Sequence, residues 1–186
     1  RKKPTLSGDK VLLRTFVFEM DFPFLEECLQ DPEVIKLTGS NSSYNRNEVM
    51  KWYQTRNEQV DRLDLAIIDK TTNQLVGEVV VNLYDPKHHS MNFRILIGPR
   101  GRNKGLGTEA TQLMVDYIFE HTDLHSLTLS VFAFNPRAKR VYEKVGFVVE
   151  SIDEKELEYE GEWIDSINMI LTREKWYARH KSKQGD

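Results

Sequence analysis

Cysteine is almost absent: Cys28 stands alone among 186 residues, so no intramolecular disulfide framework can form. That fits a reducing compartment, and a cytoplasmic protein is expected. Long apolar runs are absent as well, and none approaches the roughly 18 residues of a membrane-spanning helix. The basic start Arg1-Lys2-Lys3-Pro4 is followed by no apolar stretch, so it does not read as a secretory signal. Neither charge sign dominates. With 29 acidic and 26 basic residues the formal net charge is -3, which argues against a dedicated nucleic-acid binder. No repeat, low-complexity tract or Pro/Gly/Ser linker divides the chain.

What is present suits one folded domain. Hydrophobic residues make up 39% and aromatics 10%, and the 30% of charged residues is spread evenly, so disorder is not expected. Residues 10–17 read as a first strand. Residues 20–37 carry a helical pattern broken at Asp31-Pro32, and Gly39 to Ser43 reads as a loop. Asn45 or Asn47 can cap a helix running to about residue 60, with Val49, Trp52 and Tyr53 on one face. Strand-like runs follow at 63–69, 75–83 and 91–97, joined by turns at Thr71-Thr72-Asn73 and Asp85-Pro86-Lys87. A helix is expected over 105–120, with Leu106, Ala110, Leu113, Met114, Tyr117 and Ile118 buried. A strand at 127–132, a helix at 136–145 and strands at roughly 147–159 and 163–171 complete the order. Short turns imply antiparallel pairs; the strands at 91–97 and 127–132, joined through a helix, imply a parallel one. The expected fold is α/β, with a mixed, mostly antiparallel sheet, a core over about 10–172 and a C-terminal helix or tail over 173–186.

The stretch from Phe93 to Ala110 reads as an apolar strand, a loop rich in glycine and cations, then a helix. Backbone N–H groups at a helix start lack intrahelical partners, and with the helix dipole they favour phosphate oxygens. Gly105 and Gly107 would let the backbone approach a ligand, and Arg100, Arg102 and Lys104 would add mobile positive charge. A Walker A loop needs Gly-Lys followed by Ser or Thr, and here Lys104 precedes Gly105-Leu106, so that reading fails. Gly105-Leu106-Gly107-Thr108-Glu109-Ala110 meets G-x-G-x-x-A, but the next strand, 127–132, offers no acidic residue for a dinucleotide ribose. A turn that only joins strand to helix also remains open.

The second informative segment is Asn135 to Phe147. Asn135 suits an N-cap, Pro136 the first helical position and Gly146 a left-handed C-terminal position. Ala138, Val141, Tyr142 and Val145 form an apolar stripe, so by composition Tyr142 is a core aromatic. Taken in order, R-x-x-G-x-G after an apolar strand and N-P-x-A-x-x-x-Y-E-K-x-G-F about thirty residues later resemble the GNAT acetyltransferase superfamily. The likeness runs over about 10–172. The ending Tyr159-Glu160-Gly161-Glu162-Trp163-Ile164-Asp165 is similar to the hairpin of the subgroup of ribosomal-protein N-terminal and spermidine acetyltransferases.

The resemblance implies an N-acetyltransferase with acetyl-CoA as donor and no metal. Its acceptor would be a small amine such as a polyamine, or a peptide N-terminus; a homodimer is compatible with it, and no nucleic acid or membrane partner is expected. It implies that the strand at Ile95, Leu96 and Ile97 splays from its neighbour and holds the pantetheine arm. Arg102, Asn103, Lys104, Gly105, Leu106, Gly107 and Thr108 would hold the pyrophosphate, Asn135 and Ala138 would line the channel, and Tyr142 would protonate the leaving thiolate. A phenol of pKa about 10 is protonated at neutral pH and suits that task. Asn92 stands where such enzymes often carry a glutamate base, which keeps a non-catalytic acyl-CoA sensor as the alternative. Glu78 is a candidate base, with a solvated strand carboxylate as its plain reading; otherwise solvent takes the proton.

Glu154, Glu156, Glu158 and Glu160 recur at period two, so a regular strand would put all four on one face, as a solvated edge or an acidic wall for a cationic substrate. The loop at 38–44 lacks the aromatic-acidic stretch associated with spermidine acetyltransferases. The histidines form no metal-ligand pattern, and the basic tail with Trp176 and Tyr177 suits a terminal helix.

Overall fold

A computed structural model describes residues 2–40 and 44–184. Its elements are β1 (Leu6–Ser7), β2 (Val11–Arg14), α1 (Phe18–Gln30), α2 (Pro32–Leu37), α3 (Arg46–Thr55), β3 (Leu63–Asp69), β4 (Gln74–Asp85), β5 (Ser90–Ile97), α4 (Leu106–His121), β6 (Ser126–Phe132), α5 (Pro136–Val145), β7 (Val148–Tyr159), β8 (Glu162–Thr172) and α6 (Arg173–Gln184). Short 3-10 turns at Arg56–Glu58 and Pro99–Gly101 follow α3 and β5. The strands form one sheet in the order β1-β2-β3-β4-β5-β6-β8-β7. Among the described strands only β5 and β6 pair in parallel, as expected for neighbours joined through α4.

That parallel pair shapes the molecule. It is hydrogen-bonded only from Ser90 to Asn92 against Ser126 to Thr128, after which the strands part. Beyond Asn92 the backbone of β5 is paired on one side, to β4, and open on the other. The sheet is thus mixed and mostly antiparallel, with the splayed pair that the resemblance implied.

Two apolar layers hold the sheet. Leu65, Val79, Phe93, Leu127 and Met169 pack against Leu106, Ala110, Met114 and Ile118 of α4 and against Tyr142 and Val145 of α5. On the opposite face Ala66, Ile68, Leu75 and Leu96 pack against Phe22, Leu25 and Cys28 of α1, Val34 of α2 and Tyr53 of α3. α6 lays Trp176 on Phe119, their ring centroids 5.3 Å apart.

Several expectations shift. A strand at Leu6–Ser7 precedes the one expected first. That one, β2, covers 11–14 rather than 10–17, because Asp21 caps α1 from within: its carboxylate accepts the Val17 N–H at 2.8 Å and pairs with Arg14 at 2.7 Å. The break at Asp31-Pro32 is a helix start, with Asp31 accepting from the Val34 N–H at 3.1 Å. Asn45 caps α3 through Glu48 N, but α3 ends at Thr55 rather than near 60. Tyr53 is buried, whereas Trp52 is 38% exposed beneath the Arg56 and Arg62 guanidiniums. Of the loop expected at 39–43, residues 41–43 lie outside the described residues.

Candidate active site

The glycine-rich segment becomes the start of α4. Gly105 stands at the N-cap with φ 75°, a left-handed conformation that favours glycine, and offers no capping side chain. The N–H groups of the first turn therefore point outward without a side-chain acceptor. Gly101 is tight for another reason: a Cβ there would lie 2.9 Å from the side chains of Ile97 and Val76, so the loop folds back onto the sheet. Glu109 ties the first turn of α4 to the sheet, accepting from Lys10 N at 2.8 Å and Val11 N at 2.9 Å.

The three loop cations are not mobile charge. Arg100 pairs with Glu27 at 3.0 Å, and Lys104 with Asp69 at 3.5 Å. Arg102 pairs with Asp31 and, at 2.9 Å, with Glu33. Each fastens the loop to an acidic residue of α1, the start of α2 or the end of β3. Sequence spacing could not show this, because those partners lie 35 to 73 residues upstream.

A cleft of roughly 610 Å³ opens where β5 and β6 part. Ile95, Leu96, Ile97, Arg102, Asn103, Gly105, Leu106, Gly107, Thr108, Asn135, Ala138 and Tyr142 all line it. Lys104 does not, since its ammonium turns to Asp69. Residues not foreseen also line it: Val34 and Leu37 of α2 with Thr38 just after it, Arg94 of β5, Ser130 and Phe132 of β6, and Arg137, Arg140 and Lys144 of α5. The last three recur at spacings of three and four, which puts them on one helical face; that periodicity was the available signal.

α5 builds its part of the cleft as the sequence suggests. Asn135 caps it by accepting from Ala138 N at 3.2 Å, and Gly146 closes it with φ 118°. Tyr142 is 6% exposed and meets Phe93 and Phe147 edge-on at 6.1 and 6.0 Å. Burial alone pushes its phenol well above the usual tyrosine value, so the hydroxyl keeps its proton at neutral and mildly alkaline pH.

Glu78 is not a solvated carboxylate. It is 2% exposed and accepts from Tyr53 Oη at 2.9 Å and Arg56 Nη1 at 2.8 Å, with Arg94 Nη2 at 3.6 Å. Arg56 in turn lies 3.1 Å from Asp64, which also pairs with Arg62 at 2.6 Å. Glu78 does not line the cleft. Asn92 Nδ2 donates to Asn82 Oδ1 at 3.3 Å across the β4–β5 pair.

The four alternating glutamates do not share a regular face. β7 bulges between Asp153 and Leu157, Lys155 has φ 54° and donates its N–H to Asp165, and Glu160 lies in the turn to β8 with φ 51°. In the β4–β5 turn His88 pairs with Asp85 at 2.7 Å and His89 with Asp123 at 3.1 Å. No group of three His, Cys, Asp or Glu residues that could hold a metal occurs among the described residues, and no described helix is long and apolar enough to cross a membrane.

Residues 10–148 match the family described as the acetyltransferase (GNAT) domain. The spermidine N(1)-acetyltransferase of Escherichia coli (strain K12) is 29% identical over 161 residues, covering 82% of this chain and 87% of that protein. Its counterpart in Vibrio cholerae serotype O1 is 27% identical over 152 residues, covering 75% and 88%. Among solved structures, a GNAT-family acetyltransferase from Bacillus anthracis superposes with TM-score 0.79 at 23% identity, over 92% of this chain and 99% of that one. The spermidine N-acetyltransferase from Vibrio cholerae, solved with CoA and spermine, gives TM-score 0.81 at 23% identity, over 91% and 99%. With that family matched across most of its length, and with the splayed sheet and the glycine-started helix in place, this chain belongs to the GNAT acetyltransferases and is an acetyl-CoA-dependent N-acetyltransferase.

Proposed function

We propose that the cleft between β5 and β6 takes the donor along its length, with the phosphates at the start of α4 and the thioester beside Tyr142. The observation that carries this reading is one cleft lined both by the Gly105 helix start and by Tyr142. The open edge of β5 from Phe93 to Ile97 offers N–H and C=O groups to the amides of a pantetheine arm. The uncapped first turn of α4 supplies N–H groups for a pyrophosphate, with Arg140 and Lys144 on the facing helix as exposed cations.

The reaction forms an amide C–N bond and breaks the thioester C–S bond. Tyr142 Oη supplies the proton that the departing sulfur takes up and regains it from solvent; the amine loses its own proton to water. A phenol is the right donor, since it stays protonated at working pH while a thiol of pKa about 8.5 leaves readily. Glu78 is sealed behind Arg94 and Tyr53, so solvent is the proton acceptor in this reading. The acceptor is a small primary amine. The names of the relatives make spermidine the first to try, and the likeness of the 159–165 hairpin to the ribosomal-protein N-terminal subgroup makes a peptide N-terminus the second. A cytoplasmic setting belongs to the same reading and rests on the single, buried Cys28.

The test of the phosphate end is Gly105→Glu. A carboxylate at that helix start opposes an anionic ligand, and φ 75° strains any side chain there. CoA affinity measured by calorimetry should fall below detection while circular dichroism stays folded. Unchanged affinity would remove the phosphate assignment.

A further inference from the structure

Five cations line the cleft: Arg94, Arg102, Arg137, Arg140 and Lys144; among the described residues no aspartate or glutamate lines it. Four of the five belong to the phosphate loop or to α5. Arg94 stands apart. It sits on β5 four residues, or about 13 Å of extended chain, before Gly98. Strand alternation sends its side chain to the face opposite Phe93, which packs with α4 and α5. Arg94 thus lies on the face that α1, α2 and α3 cover, where Val34, Leu37 and Thr38 complete the wall. Because β5 and β6 part, Arg94 and this α2 wall line the same cleft as the phosphate loop.

The charge balance behind Arg94 is uneven. The guanidiniums of Arg56, Arg62 and Arg94 surround the two buried carboxylates of Asp64 and Glu78, which leaves one positive charge over. Arg56 and Arg62 have side chains only 4% and 12% exposed, whereas that of Arg94 is 48% exposed. Of this cluster, Arg94 is the member that lines the cleft. Glu78 is held by Tyr53 and Arg56 and sits 3.6 Å from Arg94 Nη2, so it orients the guanidinium yet engages at most part of its five-donor fork. An oriented, half-exposed guanidinium on an apolar strand suits a carboxylate, which it can bind through two parallel hydrogen bonds. It repels a polycation, and no carboxylate lines the cleft to compensate.

Building on the transferase reading above, we infer that the acceptor is an amine that also carries a carboxylate, held by Arg94, with Glu78 as a positioning residue. The acceptor class is amino-acid-like rather than polyamine. Thiol release would be followed at saturating acetyl-CoA with the L-amino acids, their C-terminal amides and spermidine, using wild type, Arg94→Gln and Arg94→Lys. CoA affinity is measured separately for each. Wild type should favour at least one amino acid over its amide by about tenfold or more in kcat/KM, the scale of a lost charge-assisted pair. Arg94→Gln should erase that preference through KM, Arg94→Lys should keep part of it, and CoA affinity should hold in both. Preference for spermidine or the amides, turnover of no amino acid, or a preference that survives Arg94→Gln each overturns the assignment. Wild type that binds no CoA fails the transferase reading itself. Wild type that binds CoA but ignores carboxylate-bearing amines fails only Arg94.

Discussion

Tyr142 joins two properties that a sequence reading tends to hold apart, since it is both a core aromatic and a wall of the cleft. Its ring packs on Phe93 and Phe147, so Tyr142→Phe should fold normally and bind CoA as before. Turnover should fall about 100-fold, the range expected when a positioned proton donor is lost, and steady-state kinetics would read it. The raised phenol pKa adds a stability signature. Its contribution is fully present below about pH 10, where the unfolded phenol begins to ionise, and is lost as pH rises toward the folded value. Wild-type melting temperature should therefore drop more steeply than that of Tyr142→Phe above pH 10. Glu78 shows the opposite limit of legibility. Its partners Tyr53 and Arg56 lie 25 and 22 residues upstream, and only the folding of α3 over β4 brings them near. Glu78→Ala leaves Arg56 buried with less compensation and should cost about 3–5 kcal/mol in urea unfolding. A loss under about 1 kcal/mol would mean the network is not structural.

At the scale of elements, periodicity and caps placed most boundaries within a residue or two. α5 runs from 136 to 145 as its Asn-Pro start and Gly end require, and β3 spans 63–69 as expected. The misses share a cause, which is backbone geometry fixed by distant contacts. The bulge in β7 follows from Lys155 bonding to Asp165 across the hairpin, and residue type does not reveal a positive φ at lysine. The C-terminal helix was legible as a basic terminal helix but not as a cap. Arg173 donates to the carbonyls of Phe119 at 2.8 Å, Thr122 at 2.5 Å and Leu124 at 2.8 Å, satisfying groups at the end of α4. Arg173→Ala should destabilise the fold by about 2–3 kcal/mol in urea unfolding, with CoA affinity unchanged because α4 binds at its other end. An unchanged midpoint would show that water replaces those bonds without loss.

Across the whole molecule, the parting of β5 from β6 decides what the sheet can do. The antiparallel turns and the parallel β5–β6 pair were readable from connection lengths, but the place of β8 between β6 and β7 was not, and the splay followed only from the family resemblance, because no residue in β5 or β6 forbids further pairing. The same opening makes one cleft lined by both the uncapped start of α4 and Arg94. Acetyl transfer from acetyl-CoA to a small amine inside that cleft is what this architecture serves. Free-thiol release is a clean readout of it. Burial, with the nearby charges of Glu27 and Glu78, pushes the Cys28 thiol up to about 12, so a thiol reagent at neutral pH counts only the CoA set free. The most direct measurement is therefore thiol release from acetyl-CoA across polyamines, aminoglycosides, amino acids and peptide N-termini. Release should depend on the amine and come with a matching acetylated product. CoA bound tightly, with no amine in the panel raising release above the rate in buffer, would contradict it.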